Sequence, residues 1–541
     1  MSAAPPPPPS GSPPDPHGYS ARDRARVARA IAVTLAGKIL ESSQGVALFV
    51  ALHLFGKGAV GLYLIGYNLV DLLLRCVLGG FGDAAVYFAS HHAEGADDEP
   101  AEARRERERE LHRVLATCIG VPLGVTLALA TALTLVAGPL YELLWSRQDP
   151  VLIGYLQLLA WLLPLSALVR LPVEAIKARL DMKWAVLVAD GLVPATYLAA
   201  IPAAWALGLG PEGLVYAVLL GYLVGLVPAW YGFSRHFRIG ATVSALVRLD
   251  LRRDVLGFAL PQSVNMMFNY GLTRVDALML AVWVEPELIG VYGALSELTR
   301  SIRAAKTSFA NVFAPLVSRY KAQGNQRGLS EALDSVARSI GVVAVPILIG
   351  LLSFYPELVM GPGRPWTLPH ALPWMLAMSP LAGCFYGLAG NLLLMTGHPR
   401  LLLFNSALLM ALNVGLNLAL IPWFGVLGAA AATMSSSLLL TGLQLVQMQR
   451  LEGVRFGPGL HRRTFLAAAA PVALIAAASQ GLYQYLYAWG AGVGVALKIA
   501  LVLAALALYG ATLVLWPGPS PERAWLRERL AARRARREPR P

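Results

Sequence analysis

Apolar stretches long enough to cross a bilayer recur along nearly the whole chain, between residues 30 and 516. Each is rich in Leu, Ala, Val and Gly, and a helix of roughly 20 such residues spans a hydrocarbon core of about 30 Å. Fourteen stretches can be separated, at residues 30–55, 59–89, 112–137, 150–170, 185–207, 212–234, 254–282, 288–312, 334–355, 371–396, 400–421, 425–448, 464–487 and 491–516. The pattern predicts an all-α polytopic membrane protein with about 14 transmembrane helices.

The basic residues fall almost entirely in every second gap between these stretches. Of the 45 Lys and Arg residues, 34 lie in the two tails and in alternate gaps, and 3 lie in the remaining gaps. Arg170, at the end of the fourth stretch, is counted with the first group. Because Lys and Arg stay on the cytoplasmic side during insertion, the asymmetry predicts an even number of spans with both termini in the cytoplasm.

Composition and motifs exclude several classes of protein. Only 14% of the residues are charged, against about 25% in soluble globular proteins. The net charge of +13 comes from residues that flank apolar stretches, which indicates topology signals and anionic-lipid contacts rather than nucleic acid. Cys76, Cys118 and Cys384 lie inside apolar stretches without metal-site spacing. Since the sequence also contains neither a G-x-S-x-G nor a P-loop motif, we predict a protein that is not an enzyme and has no cofactor or metal.

A faint internal repeat divides the chain. Gly61-Leu62-Tyr63 opens the second stretch and Gly290-Val291-Tyr292 opens the eighth. Likewise Pro211-Glu212-Gly213 opens the sixth stretch and Trp423-Phe424-Gly425 opens the twelfth. Both offsets map stretches one to six onto stretches seven to twelve in the same orientation. Internal repeats are common in secondary transporters, whose substrate site lies between the repeats.

The repeat predicts two six-helix lobes with an additional C-terminal helix pair. The predicted segments are a disordered, Pro-rich and basic cytoplasmic tail at 1–29, a first lobe at 30–235, a cytoplasmic linker at 236–253, a second lobe at 254–450, the helix pair at 451–516 and a basic cytoplasmic tail at 517–541.

Charged residues inside a bilayer are costly, so each one is a candidate functional group. They concentrate in the first, second, seventh and eighth stretches, which open the two predicted lobes. The candidates for substrate binding in a central cavity are Lys38, Arg75, Arg274, Arg300 and Arg303, and those for ion coupling or charge pairing are Glu41, Asp71, Asp276 and Glu297. These residues predict a wet cavity between the lobes. Its surplus of positive charge suits an anionic ligand, especially a phosphate, which Arg binds through two parallel hydrogen bonds.

A structural interpretation of the same charges stays open. Asp71 lies four residues before Arg75, and Lys38 lies three before Glu41, so each pair can simply neutralise itself on one helix face. Cations that can instead extend to the membrane surface or pair locally are Arg303, Lys306 and Lys498.

The most specific motif is residues 413–433, NVGLNLALIPWFGVLGAAAAT, with its Asn-x-x-x-Asn, Leu-Ile-Pro and Gly-x-x-Gly-Ala-Ala elements. The other matching segments are residues 61–82, Leu260-Pro261, Arg274 and Asp276 with Leu278-Met279-Leu280, and Gly290-Val291-Tyr292. In these segments the chain resembles the polysaccharide and lipid-linked oligosaccharide flippases of the multidrug/oligosaccharidyl-lipid/polysaccharide exporter superfamily. Fourteen spans favour the flippase branches over the related twelve-span multidrug exporters.

The resemblance implies two helix bundles around a cationic cavity that opens alternately to each side of the bacterial inner membrane. It implies a polyprenyl-diphosphate-linked oligosaccharide as substrate, with the tail kept in the lipid beyond gates next to the first and eighth spans. The five cationic candidates would contact the phosphates. The expected partners are the lipid-linked glycan, membrane lipids, a polysaccharide polymerase and glycosyltransferases, with no nucleic acid, and the expected protein is a monomer.

Three alternatives remain at this point. A lipid II flippase of the same superfamily would differ only in substrate. A cation-coupled multidrug antiporter would use Glu41 and Asp276, since the acidic residues dilute the positive field. A membrane glycosyltransferase or ligase belongs to another class, and the apolar outer gaps give it little polar material for a catalytic site.

Overall fold

The computed structural model describes residues 43–93, 100–179, 181–248, 251–271, 274–322, 325–361, 366, 368–454, 474, 478 and 491–515. Lys38, Glu41, the two predicted tails and nearly all of the predicted stretch 464–487 lie outside these residues. Each of the other predicted stretches contains a described helix.

The first lobe consists of six helices and is followed by a short helix in the predicted linker. They are α1 (Ser43–Phe55), α2 (Lys57–Ala93), α3 (Ala101–Leu144), α4 (Val151–Lys177, interrupted at Trp161), α5 (Lys183–Ala206, π-helical over Val186–Leu192), α6 (Gly213–His236) and the linker helix α7 (Ile239–Val247). The second lobe and the last helix follow. They are α8 (Arg253–Gly271), α9 (Val275–Trp283), α10 (Pro286–Ala322), α11 (Gln326–Met360), α12 (Ala371–Tyr386), α13 (Leu388–Met395), α14 (Pro399–Phe424), α15 (Val426–Glu452) and α16 (Ala491–Leu515).

Eight of these helices are long and apolar enough to cross a membrane, and the pair α12 and α13, bent by 44°, makes a ninth. The helices α2 and α10, which carry Asp71, Arg75, Glu297 and Arg300, are not among them. Among the described residues there is no β-strand. The predicted all-α polytopic membrane fold is therefore confirmed.

Helix pairings in the first lobe recur in the second. In the first lobe α1 packs on α5, α2 on α3 and α4, α4 on α6, and α5 on α6. In the second lobe α8 and α9 pack on α14, α10 on α11 and α12, α12 on α15, and α14 on α15. Each helix pairing in the first lobe thus has a counterpart six predicted spans later in the chain, which is the offset of the sequence repeat.

The lobes meet along α2, which packs on α10 near its N-terminal end and on α8 further along. A Cβ added to Gly61 would lie 1.8 Å from the Pro286 carbonyl oxygen, and one added to Gly290 would lie 2.4 Å from the Lys57 carbonyl oxygen. The two repeated glycines therefore bring α2 and α10 into backbone contact. At the other contact, a Cβ on Gly80 would lie 2.0 Å from the carbonyl oxygen of Ala259 on α8.

Polar and aromatic contacts complete the seam between α2 and α8. The rings of Tyr87 and Phe258 stack with centroids 5.2 Å apart, and Phe88 meets Phe258 edge-on at 5.8 Å. Gln262 Nε2 donates a hydrogen bond of 2.8 Å to Asp83 Oδ2. Helix α2 thus contacts the second lobe through both of its halves, meeting α10 near its N-terminal end and α8 further along.

A buried ion pair joins α16 to α11. Lys498 Nζ donates to Glu357 Oε1, and the two side chains are 0% and 7% exposed. Glu357, which the sequence pattern places in an outer gap, lies in the last turn of α11. Of the two alternatives for Lys498, pairing is the one observed, and removing one partner of such a pair costs about 3–5 kcal/mol.

We expect Gly290→Ala to destabilise the closed contact between α2 and α10, because the new Cβ would overlap the Lys57 carbonyl oxygen. Overpacking of this kind costs about 1–3 kcal/mol. The measurement is the apparent melting temperature of the purified protein in detergent. Gly350→Ala on α11 is the matched control, since a Cβ there meets nothing within 4 Å. Equal melting temperatures for the two variants would contradict the expectation.

Candidate functional site

The predicted span 254–282 is broken in the middle. It forms two helices, α8 and α9, and Arg274 occupies the N-cap of α9 with its backbone N–H 3.0 Å from the Gly271 carbonyl oxygen. Pro261 lies inside α8, so the break falls at Arg274 and not at the proline. Interrupted helices at membrane depth are tolerated where they line a polar cavity, and in transporters they carry binding sites.

Arg274 connects three helices from this break. Its Nη2 lies 3.1 Å from Asp71 Oδ2 on α2, and its Nη1 donates to Asn68 Oδ1 at 3.0 Å. The same Nη1 lies 3.6 Å from Glu297 Oε1 on α10. The side chain of Arg274 is only 12% exposed. The structure therefore places these three predicted site residues together at the boundary between the lobes.

Two further arginines join the same carboxylates. Arg75 Nε lies 3.4 Å from Asp71 Oδ1, and its guanidinium lies 4.5 Å from the ring centroid of Tyr270. Arg300 Nη2 lies 2.8 Å from Glu297 Oε1. Local pairing along α2 and α10 is thus real, but it is not one-to-one, because three arginines share two carboxylates among the described residues.

Arg170 is a fourth cation of the cluster, and its predicted position in an inner segment is wrong. Helix α4 continues to Lys177, so Arg170 lies within it. Its Nη2 donates to the Tyr222 hydroxyl at 2.7 Å, and it is within electrostatic range of Asp71. The three apolar residues that follow, Leu171, Pro172 and Val173, could have revealed this from the sequence, since they extend the apolar stretch beyond Arg170.

The other predicted cations of α10 lie further along the helix. Arg303 is within electrostatic range of Arg300, Glu297 and Asp276. Lys306 lies against the bend between α12 and α13, because a Cβ on Gly387 would be 2.6 Å from Lys306 Nζ. The α10 cations therefore continue from the lobe boundary into the second lobe.

Asp276 has a different environment from Asp71 and Glu297. It is 6% exposed and accepts hydrogen bonds from the Tyr292 hydroxyl at 2.5 Å and from the Ala277 backbone N–H at 2.8 Å. The hydroxyl of Thr433 on α15 lies 3.4 Å away. Its direct partners are hydroxyl and backbone groups, whereas those of the other two carboxylates are guanidinium groups.

A buried polar chain extends from Thr433 through the most specific sequence motif. Asn413 Nδ2 donates to Thr433 Oγ1 at 3.4 Å and to Ser436 Oγ at 3.2 Å, and Asn417 Nδ2 donates to Asn413 Oδ1 at 3.0 Å. Asn417 Oδ1 is buried without a hydrogen-bond partner in the part of the chain that the structure describes. The motif 413–433 thus reaches Asp276 through Thr433 and continues away from it as a polar chain through Asn413 and Asn417.

A small cavity lies at the lobe boundary beside Arg274 and offers about 50 Å³ to water. The residues that line it are Leu48, Tyr63, Leu64, Tyr67, Val193, Tyr197, Val218, Tyr222, Arg274, Glu297 and Arg300. Sites for drug-sized ligands typically measure about 300–1,000 Å³. The cavity as it stands in the structure is therefore too small for a ligand of that size.

Sequence comparison finds similarity to proteins of polysaccharide and glycan biosynthesis. A sequence profile described as "Polysaccharide biosynthesis protein" matches residues 101–361. The probable low-salt glycan biosynthesis flippase Agl15 of Haloferax volcanii is 23% identical over 251 residues, which are 46% of this chain and 52% of that protein. The chain thus spans about half the length of this curated relative.

Solved structures match over a larger part of the chain. The lipid II flippase MurJ in an inward closed conformation superposes with a TM-score of 0.68 at 13% identity, covering 90% of this chain and 99% of that chain. An inward-facing multidrug resistance transporter of the MATE family and MOP superfamily gives 0.62 at 12% identity, covering 76% and 96%. The chain therefore shares its fold with these two solved transporters. Together with the family profile and the archaeal relative, this shared fold confirms the resemblance to glycan flippases.

We expect the effects of substituting Arg274 and Asp71 on the stability of the protein to be strongly coupled. Arg274→Gln and Asp71→Asn each leave a buried charge with fewer partners, which costs about 3–5 kcal/mol for a fully buried pair. The double variant should be less destabilised than the sum of the two single variants. Melting temperatures of the purified proteins in detergent provide the measurement.

The control for this cycle is Arg109→Gln with Glu106→Gln, a surface pair on α3 with side chains 76% and 65% exposed. Such pairs contribute at most about 1 kcal/mol, so these changes should add. Additive effects for Arg274 and Asp71 would show that they do not form one unit.

Proposed function

We propose that this protein is a flippase that moves a polyprenyl-diphosphate-linked oligosaccharide, the repeat unit of a polysaccharide, across the bacterial inner membrane by alternating access. The observation that carries the proposal is the cluster of four arginines around two carboxylates, at membrane depth and between the lobes. Arg75, Arg170, Arg274 and Arg300 give this cluster an excess of two positive charges over Asp71 and Glu297 among the described residues. A diphosphate supplies the matching negative charge.

The carboxylates have a definite task in this scheme. An arginine that faced the empty cavity alone would be strongly destabilised by its loss of water. Asp71 and Glu297 hold Arg274 and Arg300 in place until phosphate oxygens arrive, and the planar guanidinium groups then offer parallel N–H donors to those oxygens. Lys38, outside the described residues, and Arg303 stay candidates for further phosphate contacts.

Transport requires the two lobes to separate on one side at a time. The cavity is too small for a sugar diphosphate in its present closed state. Opening the seam between α2 and α8, or the contact between α2 and α10, would admit the headgroup from one side while the other contact stays closed. The polyprenyl tail would remain in the lipid next to α1 and α10.

The energy source in this proposal is the membrane potential or a coupled cation rather than nucleotide hydrolysis. Moving one elementary charge through the field is worth about 2.3 kcal/mol per 100 mV. Among the described acidic candidates, Asp276 is best suited to bind the coupling ion, because hydroxyl and backbone groups rather than arginines are its direct partners. Glu41 stays a candidate for the same role.

The same superfamily supplies the nearest rivals. A lipid II flippase would use the same phosphate contacts, so the glycan distinguishes the two. A multidrug antiporter for cationic drugs is less favoured, because the arginine cluster repels such substrates. A membrane glycosyltransferase or ligase would need a free catalytic group, whereas the charged residues that line the cavity form ion pairs with one another.

The scheme further assigns both termini to the cytoplasm, a monomer as the working unit, and a polysaccharide polymerase and glycosyltransferases as partners.

The ion pair of Arg300 and Glu297 allows a direct test, because it can be broken from either side. Arg300→Gln removes a phosphate donor, and we expect it to lower surface glycan about ten- to a hundredfold, the equivalent of one lost charge-assisted hydrogen bond. Glu297→Gln loosens the same pair but leaves every phosphate donor in the cavity, and we expect a clearly smaller loss of surface glycan than that of Arg300→Gln. The measurement is cell-surface polysaccharide in a strain that depends on this protein.

Protein amount in the membrane is measured in parallel by immunoblot. If the pair served only to hold α10 in place, the two variants would lose surface glycan equally. Equal losses at normal protein amount would therefore refute the assignment of Arg300 to phosphate binding.

A further inference from the structure

The two walls of the central cavity differ in chemistry. The second lobe contributes the charged residues Arg274, Glu297 and Arg300. The first lobe contributes apolar residues and four tyrosines, which are Tyr63 and Tyr67 on α2, Tyr197 on α5 and Tyr222 on α6. Three helices of one lobe thus present phenol groups to the same small space, opposite the arginines.

The tyrosines are arranged around each other rather than scattered. The rings of Tyr63 and Tyr67, one turn apart on α2, stack with centroids 5.5 Å apart and an interplanar angle of 24°. Tyr197 on α5 lines the same cavity as this stacked pair. The hydroxyl of Tyr222 accepts a hydrogen bond of 2.7 Å from Arg170 Nη2. These four tyrosines, which line one side of the cavity and of which two are stacked, are called the tyrosine wall.

A lipid-linked glycan headgroup likewise has a charged part and an uncharged part. Its diphosphate is charged, and the sugar attached to it has a rim of hydroxyl groups and faces made of C–H bonds. An aromatic ring can pack against such a face, while a phenol hydroxyl can donate to and accept from sugar hydroxyls. The guanidinium groups of the opposite wall match the phosphates.

We propose that the tyrosine wall binds the sugar directly attached to the diphosphate. The headgroup then lies across the cavity, with its phosphates toward α9 and α10 of the second lobe and its first sugar toward α2, α5 and α6 of the first lobe. Arg170 is a positioning residue in this arrangement, because it fixes the hydroxyl of Tyr222 from behind. This inference rests on the proposed function and adds to it the orientation of the substrate.

The experiment compares two lipids on the full-length protein in nanodiscs, undecaprenyl diphosphate and undecaprenyl diphosphate bearing one N-acetylglucosamine. Wild-type protein is expected to bind the sugar-bearing lipid about tenfold more tightly, the size of one or two aromatic contacts. Tyr67→Leu removes the ring and should abolish this preference, while the affinity for undecaprenyl diphosphate stays within about twofold. Tyr67→Phe keeps the ring and should retain most of the preference.

Tyr216→Leu is the matched control, because Tyr216 lies on α6 like Tyr222 but is 40% exposed and does not line the cavity. It should bind both lipids as wild type does. If Tyr67→Leu does not yield folded protein, Tyr222→Leu makes the same comparison from a different helix.

The outcomes separate the two proposals. If wild-type protein binds both lipids equally, or if Tyr67→Leu weakens both to the same extent, the tyrosine wall does not bind the sugar and the phosphate assignment stands. If wild-type protein binds neither lipid, the proposed function fails, and the orientation of the substrate fails with it.

Discussion

An arginine at membrane depth is stable only where another group replaces the water that it has lost. Arg75, Arg274 and Arg300 find that group in Asp71 and Glu297, and Arg170 finds it in the hydroxyl of Tyr222. Because two carboxylates serve three of these guanidinium groups and a neutral hydroxyl serves the fourth, the cluster is held together and still keeps a positive excess among the described residues. The carboxylates lower the cost of holding arginines away from water, and the excess of positive charge attracts an anion.

The architecture around this cluster follows from two local features of the chain. The interruption between α8 and α9 lets Arg274 reach Asp71 on α2 and Glu297 on α10 from one position. The glycines of α2 and α10 let the lobes meet through backbone atoms rather than through interlocked side chains. Contacts of this kind can open and close with little repacking, as rigid-body movement of two lobes requires.

Much of this could be predicted from the sequence, because hydrophobic length and charge asymmetry are properties of the chain itself. The all-α polytopic fold follows from the fourteen apolar stretches. The cost of intramembrane charge singled out Arg75, Arg274 and Arg300, which the structure places around the same two carboxylates. The repeated Gly-x-Tyr motif also had a structural cause, since Gly61 and Gly290 meet at the lobe boundary.

What the sequence did not reveal depends on three-dimensional neighbours. Arg170 was misplaced because the end of an apolar stretch is a poor guide to the end of a helix. The separate environment of Asp276 could not be anticipated, since the hydroxyls that hold it come from Tyr292 and Thr433, 16 and 157 residues away along the chain. Tyrosines that line a cavity have the same hydropathy as tyrosines in a core, so the tyrosine wall gave no signal before α2, α5 and α6 were placed together.

The ion pair between Lys498 and Glu357 attaches the last helix, α16, to α11 of the second lobe. A lysine with no exposed surface, bound to a carboxylate on α11, makes α16 an integral part of the second lobe rather than an optional attachment. Deleting α16 would take away the cation that this carboxylate binds. A shortened descendant would therefore be expected to carry an uncharged residue at position 357, so that the loss of a helix and the loss of an acid would be inherited together.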